Sequence, residues 1–242
     1  MNINRPLNKC LWEVAVTRFV RLTMLALFST SLCAQIVAFT GKDANAPDEF
    51  AFVALEMIPM GTVFYVTNND WNNTTGTFLT GEATIQITTT AAIAKGVVSQ
   101  VIYDTGTNYN VIGSISVMHI SGTQASVSAD PHYAFAASNA GSPLNSVTEI
   151  YAYLDTDLDN ANGTSKDPRI MMNPSPNAVF QDFVGTNWVG VDFTGNRATA
   201  VLADLTNPAN FTTSSGTTNL TLNLTPFTNP GLPVDLESFS VD

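Results

Sequence analysis

The fold is decided by residues 36–71, IVAFTGKDANAPDEFAFVALEMIPMGTVFYVTNNDW. Residues 36–39 are apolar and β-prone, and GKDANAPDE then supplies a cluster of turn formers. Residues 50–58, FAFVALEMI, are apolar on both alternating faces with Glu56 as the single charge, the pattern of a strand buried on both sides. Pro59 and Gly61 break the run, residues 63–67 resume it, and the polar loop NNDWNN closes it. Three short strands separated by turns predict an all-β chain.

Later segments carry the same signal with one wet face. In EATIQITTT, Ile85 and Ile87 oppose Thr84, Gln86 and Thr88; in NLTLNLT, Leu220, Leu222 and Leu224 oppose Asn219, Thr221 and Asn223. Further strands are expected at 97–103, 115–120, 133–137, 150–154, 189–193 and 199–202, with a helical turn near 208–210. About ten short strands with Gly/Asn/Pro/Ser loops predict an antiparallel β-sandwich of immunoglobulin-like type, and no internal repeat of fixed period is present.

Charge and cysteine usage narrow the function classes. Of 9 basic and 20 acidic residues, four and one respectively fall before Gln35, which leaves 5 and 19 for the remainder, a net charge of −14. Such a surface repels phosphate backbones, so nucleic acid is excluded as an expected partner. Both cysteines, Cys10 and Cys33, also fall before Gln35, which leaves neither disulfides nor thiol catalysis for the rest of the chain.

Residues 1–34 read as a secretory leader with a long basic n-region. Arg18 and Arg21 precede a short apolar run, and small residues lead to cleavage after Ala34. The apolar run is too short to span a bilayer, so no membrane span is expected after cleavage. The sandwich occupies 35–226, and a Pro/Gly/Asn linker at 227–242 starts a further domain.

Within that linker, Leu232-Pro233-Val234-Asp235-Leu236-Glu237-Ser238-Phe239 resembles the LPVELxSF segment of secreted Bacteroidota proteins, where it precedes an immunoglobulin-like or type IX secretion sorting domain. The stretch 36–71 resembles a second pattern, IAFxGxNxD…DxFAFVxLxxIPxGTxIYFTDNEW, of secreted bacterial domains similar to the lamin-tail β-sandwich. Residues 149–153, EIYAY, and 207–211, NPANF, match its later segments. Asn69-Asp70 stands where the family has Asn-Glu before the tryptophan. The resemblance implies a sandwich fold, export and a place in a larger surface protein. It supplies no catalytic residue.

Two loops carry candidate chemistry. Asp155, Asp157, Asp159, Asn160 and Asn162, with Gly163, offer alternating oxygen ligands that suit a structural Ca²⁺, although neither the late glycine nor the missing closing glutamate fits an EF-hand. The plainer reading, a solvated hairpin tip, outweighs it. Asn69, Asp70, Trp71 and Asn72 combine amides, a carboxylate and an indole that could stack on a sugar. Here too the plainer reading outweighs it: a tryptophan covering one end of the sandwich while the amides satisfy backbone groups.

His119 and His132, the two histidines, lack zinc-ligand spacing. There is no nucleophile elbow, phosphate loop or dinucleotide fingerprint. Glu56, Glu82 and Glu149 are the carboxylates from which a glycosidase pair would be drawn, and nothing in their sequence surroundings singles them out. The expectation is a non-enzymatic exported adhesion or binding module, without a cofactor other than the candidate Ca²⁺, meeting a glycan or a surface protein. The rivals are an extracellular hydrolase or its accessory domain, and a structural spacer.

Overall fold

The computed structural model describes residues 36–229 except 46, 73, 105, 124–130, 157–178 and 184–187. The leader, the LPVDLESF segment and all of the calcium-candidate run except Asp155 lie outside the described residues. Two six-stranded sheets form a β-sandwich. The first has the order β14-β13-β1-β2-β7-β8, built from β1 (Val37–Asp43), β2 (Glu49–Ala54), β7 (Val98–Tyr103), β8 (Tyr109–Ile112), β13 (Gly190–Phe193) and β14 (Phe211–Ser214). The second has the order β12-β11-β10-β3-β6-β9, built from β3 (Val63–Thr67), β6 (Thr84–Thr89), β9 (Ile115–Ser121), β10 (His132–Ala137), β11 (Val147–Asp155) and β12 (Val179–Asp182).

Pairing is antiparallel except between β11 and β12, which run parallel. A parallel pair needs a crossover of a dozen or more residues, and 156–178 supplies that length. Alternation sends Phe39, Phe50, Phe52 and Val191 of the first sheet against Phe64, Val66, Ile85 and Leu154 of the second, all in one buried cluster. Phe52 and Phe64 meet edge-to-face at 5.6 Å across the sandwich.

Each sheet also has a covered outer face. On the second sheet, Tyr65, Tyr133, Phe135 and Tyr153 form a separate apolar cluster with Trp71 and Phe78. Those last two residues come from a small hairpin, β4 (Trp71–Asn72) with β5 (Thr77–Phe78), folded back over the sheet. Over the first sheet lies the extended segment 217–229. It makes no strand ladder, although the alternation of its leucines predicts a strand. Leu220 and Leu222 sit where a side chain at Gly190 or Gly41 would collide with them: a Cβ at Gly41 would lie 2.9 Å from Leu222 Cδ2.

The expected strand at 199–202 is also corrected. Residues 197–199 form a turn and Leu202–Leu205 a short helix, α1, whose first turn is capped by the Asp204 carboxylate accepting the Val201 N–H at 2.8 Å. A side-chain acceptor placed for a helical start outcompetes β-propensity there. The helical turn expected near 208–210 is a 3₁₀ turn at Pro208–Asn210.

Candidate functional site at the loop pole

Strand register sorts the connections onto two poles. Asp43 pairs with Glu49 across the β1–β2 loop, and Tyr103 with Tyr109 across the β7–β8 loop. In the second sheet Thr67, at the end of β3, pairs with Thr84 and with Tyr133, while His132 pairs with Leu154 just before the end of β11. The two sheet ends are tied to each other. Trp188 N–H donates to Thr156 O at 3.1 Å, and Ala44 N–H donates to Val189 O at 2.9 Å. The described residues of 44–48, 68–70 and 104–108, together with Asp155 and Thr156, therefore share one pole, termed the loop pole. Residues 55–62, 90–97 and 194–210 lie at the opposite, far pole.

The two polar loops of the opening stretch thus come out together, but not in the form the glycan reading needs. Trp71 is 4 % exposed and packs edge-to-face on Phe78 at 5.0 Å, so its indole belongs to the second core. Asn69 is buried and its amide is spent. Nδ2 donates to Thr67 Oγ1 at 2.8 Å and Glu82 O at 2.9 Å, and Oδ1 accepts the Glu82 N–H at 3.1 Å. Asn72 Oδ1 caps the following turn by accepting the Thr74 N–H at 2.8 Å. Asp70 stays half-buried at the rim. Asp155 Oδ2 accepts the Tyr153 hydroxyl, which directs it to the outer face of the second sheet.

The pole contains groups that motif reading missed. A row of rings crosses from sheet to sheet. His132 lies 5.8 Å from Phe50, Phe50 lies 6.1 Å from Tyr103, and Tyr103 lies 5.2 Å from Tyr109, which stacks on His119 at 6.2 Å. Tyr109 Oη and His119 Nδ1 are 2.7 Å apart, and His119 Nε2 is 3.1 Å from Gly122 O. A carbonyl only accepts, so Nε2 carries a proton, and in the neutral imidazole the Tyr109 hydroxyl donates to Nδ1. This bond joins β8 to β9, the edges where the two sheets meet.

Electrostatics single out the same region. Burial, then the neighbouring Asp43 carboxylate, push Asp48 up to about 6, with Lys42 pulling weakly the other way. Burial, then Tyr109 and Asp48, push the Tyr103 phenol well above its ordinary value, and burial raises Tyr109 to about 12. Both tyrosines are therefore neutral hydrogen-bonding groups at physiological pH. Lys42 is 1 % exposed. Its neighbours Gly41 and Asp43 both face segment 217–229, so alternation turns Lys42 to the inside of the sandwich. Asn68 is buried at the same end, and neither end of its amide meets a hydrogen-bond partner among the described residues.

Sequence alone could have flagged the β7–β8 hairpin, because Tyr103 and Tyr109 flank a turn containing Gly106. It could not have flagged Asp48, whose behaviour depends on burial and on Asp43. The three glutamates considered for glycoside hydrolysis are not gathered: Glu56 is at the far pole, Glu82 in the loop before β6, and Glu149 within β11. Among the described residues no group of three or more His, Cys, Asp or Glu side chains is placed to hold a metal ion, and no helix is long and apolar enough to cross a membrane. No family model matches the chain, and no curated protein or solved structure matches it.

Proposed function

We propose that this chain is an exported, non-catalytic β-sandwich module that presents its loop pole to a glycan or protein of a surface, as one part of a larger secreted protein. The observation that carries the reading is that Ile36 and the end of segment 217–229 lie at the pole opposite the loop pole. Leu55 N–H donates to Ile36 O at 3.0 Å, Gly96 N–H to Ala54 O at 2.8 Å, and Phe227 N–H to Gly96 O at 2.8 Å. The first described residue and the end of segment 217–229 thus meet at the far pole. A module tethered there holds its opposite pole outward. The leader-like residues 1–34 and the resemblance of residues 232–239 to the LPVELxSF segment support export and a following sorting domain, and the resemblance of 36–71 supports a lamin-tail-like sandwich.

At the loop pole Asp48, Asp70, Asp104 and the Tyr109–His119 pair are the groups a partner would meet, while Trp71 and Asn69 hold the fold. Binding of the full chain to a glycan array and to immobilised bacterial surface proteins, in calcium and in EDTA, tests the proposal. Binding that is lost in Asp104→Ala or Asp70→Ala and retained in the far-pole variant Met60→Ser is the expected result. Binding that ignores the loop-pole variants, or turnover of a polysaccharide substrate, overturns it.

A further inference from the structure

The segment over the first sheet is held in an unusual way. Asn45 Nδ2 donates to Thr218 O at 3.0 Å, Leu220 N–H donates to Asp43 Oδ2, Leu222 N–H donates to the Glu49 carboxylate, and Asn223 N–H donates to Asp192 Oδ1 at 3.2 Å. Side-chain carboxylates of three different strands thus take the amides that a neighbouring strand would take in a sheet. Those carboxylates crowd one face. Asp43 stands directly opposite Glu49 in the β1–β2 register, and Asp192 opposite Gly41, two residues from Asp43. Like charges directly opposite each other in a sheet repel, and a cover that excludes water strengthens the repulsion.

Little in the surroundings offsets that repulsion. Asp48 adds a fourth carboxylate at the rim, and Lys42 faces the other side of β1. From β7 the facing group is the neutral Gln100, which donates to Glu49. β14 presents Thr212 and Ser214, and residues 217–229 carry no charge. Among the described residues the one cation on that face is Arg197, 3.9 Å from Asp192.

We propose that residues 218–225 form a proton-gated latch: the segment closes over Asp43, Glu49 and Asp192 under mildly acidic conditions and lifts from the intact sandwich as the pH rises. Lifting returns the three carboxylates to water and relieves their repulsion, while closing favours the protonated form of Glu49 and of Asp192. Burial is the largest influence on Glu49 and on Asp192 and raises both above the ordinary carboxylate range; the neighbouring Asp43 raises Glu49 further, and burial outweighs the opposing pull of the Leu222 and Asn223 amides and of Arg197. Gly216, at φ +77° in an exposed stretch, provides a hinge before the latch, and the Arg197–Phe227 contact holds its far end.

Hydrogen exchange of the full chain, read at individual amides and corrected for intrinsic rates, tests the latch between pH 5 and pH 8. Protection of Leu220, Leu222 and Asn223 is expected to fall with rising pH on the order of ten-fold, while Phe50 and Phe52 in β2 keep theirs. Glu49→Gln combined with Asp192→Asn is expected to flatten the fall. Protection at the three latch amides that is constant with pH, or that falls in step with Phe52, overturns the proposal, and the unsubstituted protein alone yields that result.

Discussion

Arg197 is a buried polar side chain, among the described residues, whose removal is predicted to be strongly destabilising. It is 6 % exposed, donates from Nη1 to Thr225 O at 3.0 Å and from Nη2 to Phe193 O at 3.2 Å, and pairs with Asp192 at 3.9 Å. Its guanidinium carbon sits 4.6 Å from the Phe227 ring centroid and 5.6 Å from that of Phe193. A charge-assisted bond contributes about 1.5–3 kcal/mol, and a desolvated cation over an aromatic face about 2 kcal/mol. These terms share atoms and do not add. They are also offset by the cost of burying the guanidinium, which lowers its pKa from the ordinary value. The better measure is the cost of deleting one partner of a buried pair, about 3–5 kcal/mol, because Asp192 stays behind without its cation.

For a domain of this size a loss of that order lowers the melting temperature of Arg197→Ala by roughly 6–20 °C. Calorimetry of wild type, Arg197→Ala, Phe227→Ala and the double variant measures both the loss and the coupling. The two residues act as one clasp, so the double variant is expected to lose clearly less than the sum of the singles. Arg197→Lys retains the charge but not the two-pronged donation, and is expected to fall between wild type and alanine. A drop below about 3 °C for Arg197→Ala, or strict additivity with Phe227→Ala, would refute the clasp, since a cost of about 3 kcal/mol or more corresponds to at least roughly 6 °C.

Two further perturbations test the packing and the acidic pole. Gly96 has φ +83°, and a Cβ there would come within 2.0 Å of Phe227 O, whereas a Cβ at Gly106, φ +66°, would meet no atom within 4 Å. Alanine at Gly106 should cost only the left-handed backbone penalty of about 1–2 kcal/mol, and alanine at Gly96 clearly more; equal melting shifts would show that Phe227 is not seated against Gly96. Asp48 is raised from an ordinary 3.8 to about 6, so the folded chain holds this proton where the unfolded chain releases it. Its contribution to stability is therefore complete below roughly pH 4 and is lost as the pH rises through about 6. The difference in urea midpoint between wild type and Asp48→Asn should decline across that window, and a flat or rising difference would contradict the assignment.

Much of the sandwich is legible because alternation reports which face a residue takes. Residues 82–90 yield β6 at Thr84–Thr89, and 63–67 yield β3 with the same bounds. Legibility fails where a strand ends for non-local reasons. The apolar run 50–58 reads as one strand, yet β2 stops at Ala54, and Ile58 pairs separately with Ile93 as the chain turns at the far pole. Two-residue strands such as β4 and β5 carry no period, so the second core around Trp71 is invisible until the hairpin folds over Tyr133 and Phe135.

Segment 217–229 is the sharpest failure. Its alternation is as clean as that of β6, and what denies it a ladder is a set of acceptors at Asp43, Glu49 and Asp192, far away in sequence. The candidate site follows the same rule. The sequence marks the loops at 43–48 and 68–73, but which of their side chains face outward is set by pairing: Asn69 serves the turn before β6, and Trp71 serves Phe78.

The contact between Asp43 and Leu220 spans 177 positions. A chain made from its N-terminus completes β1, β2 and β7 long before the residues that seal their acidic outer face exist, and that closure carries the loop entropy of nearly the whole module. The face that waits is lined by Gly41, Asp43 and Glu49 in place of leucines. An unfinished molecule therefore meets its neighbours with a wet, mutually repelling surface, which protects the slow step of assembly from aggregation.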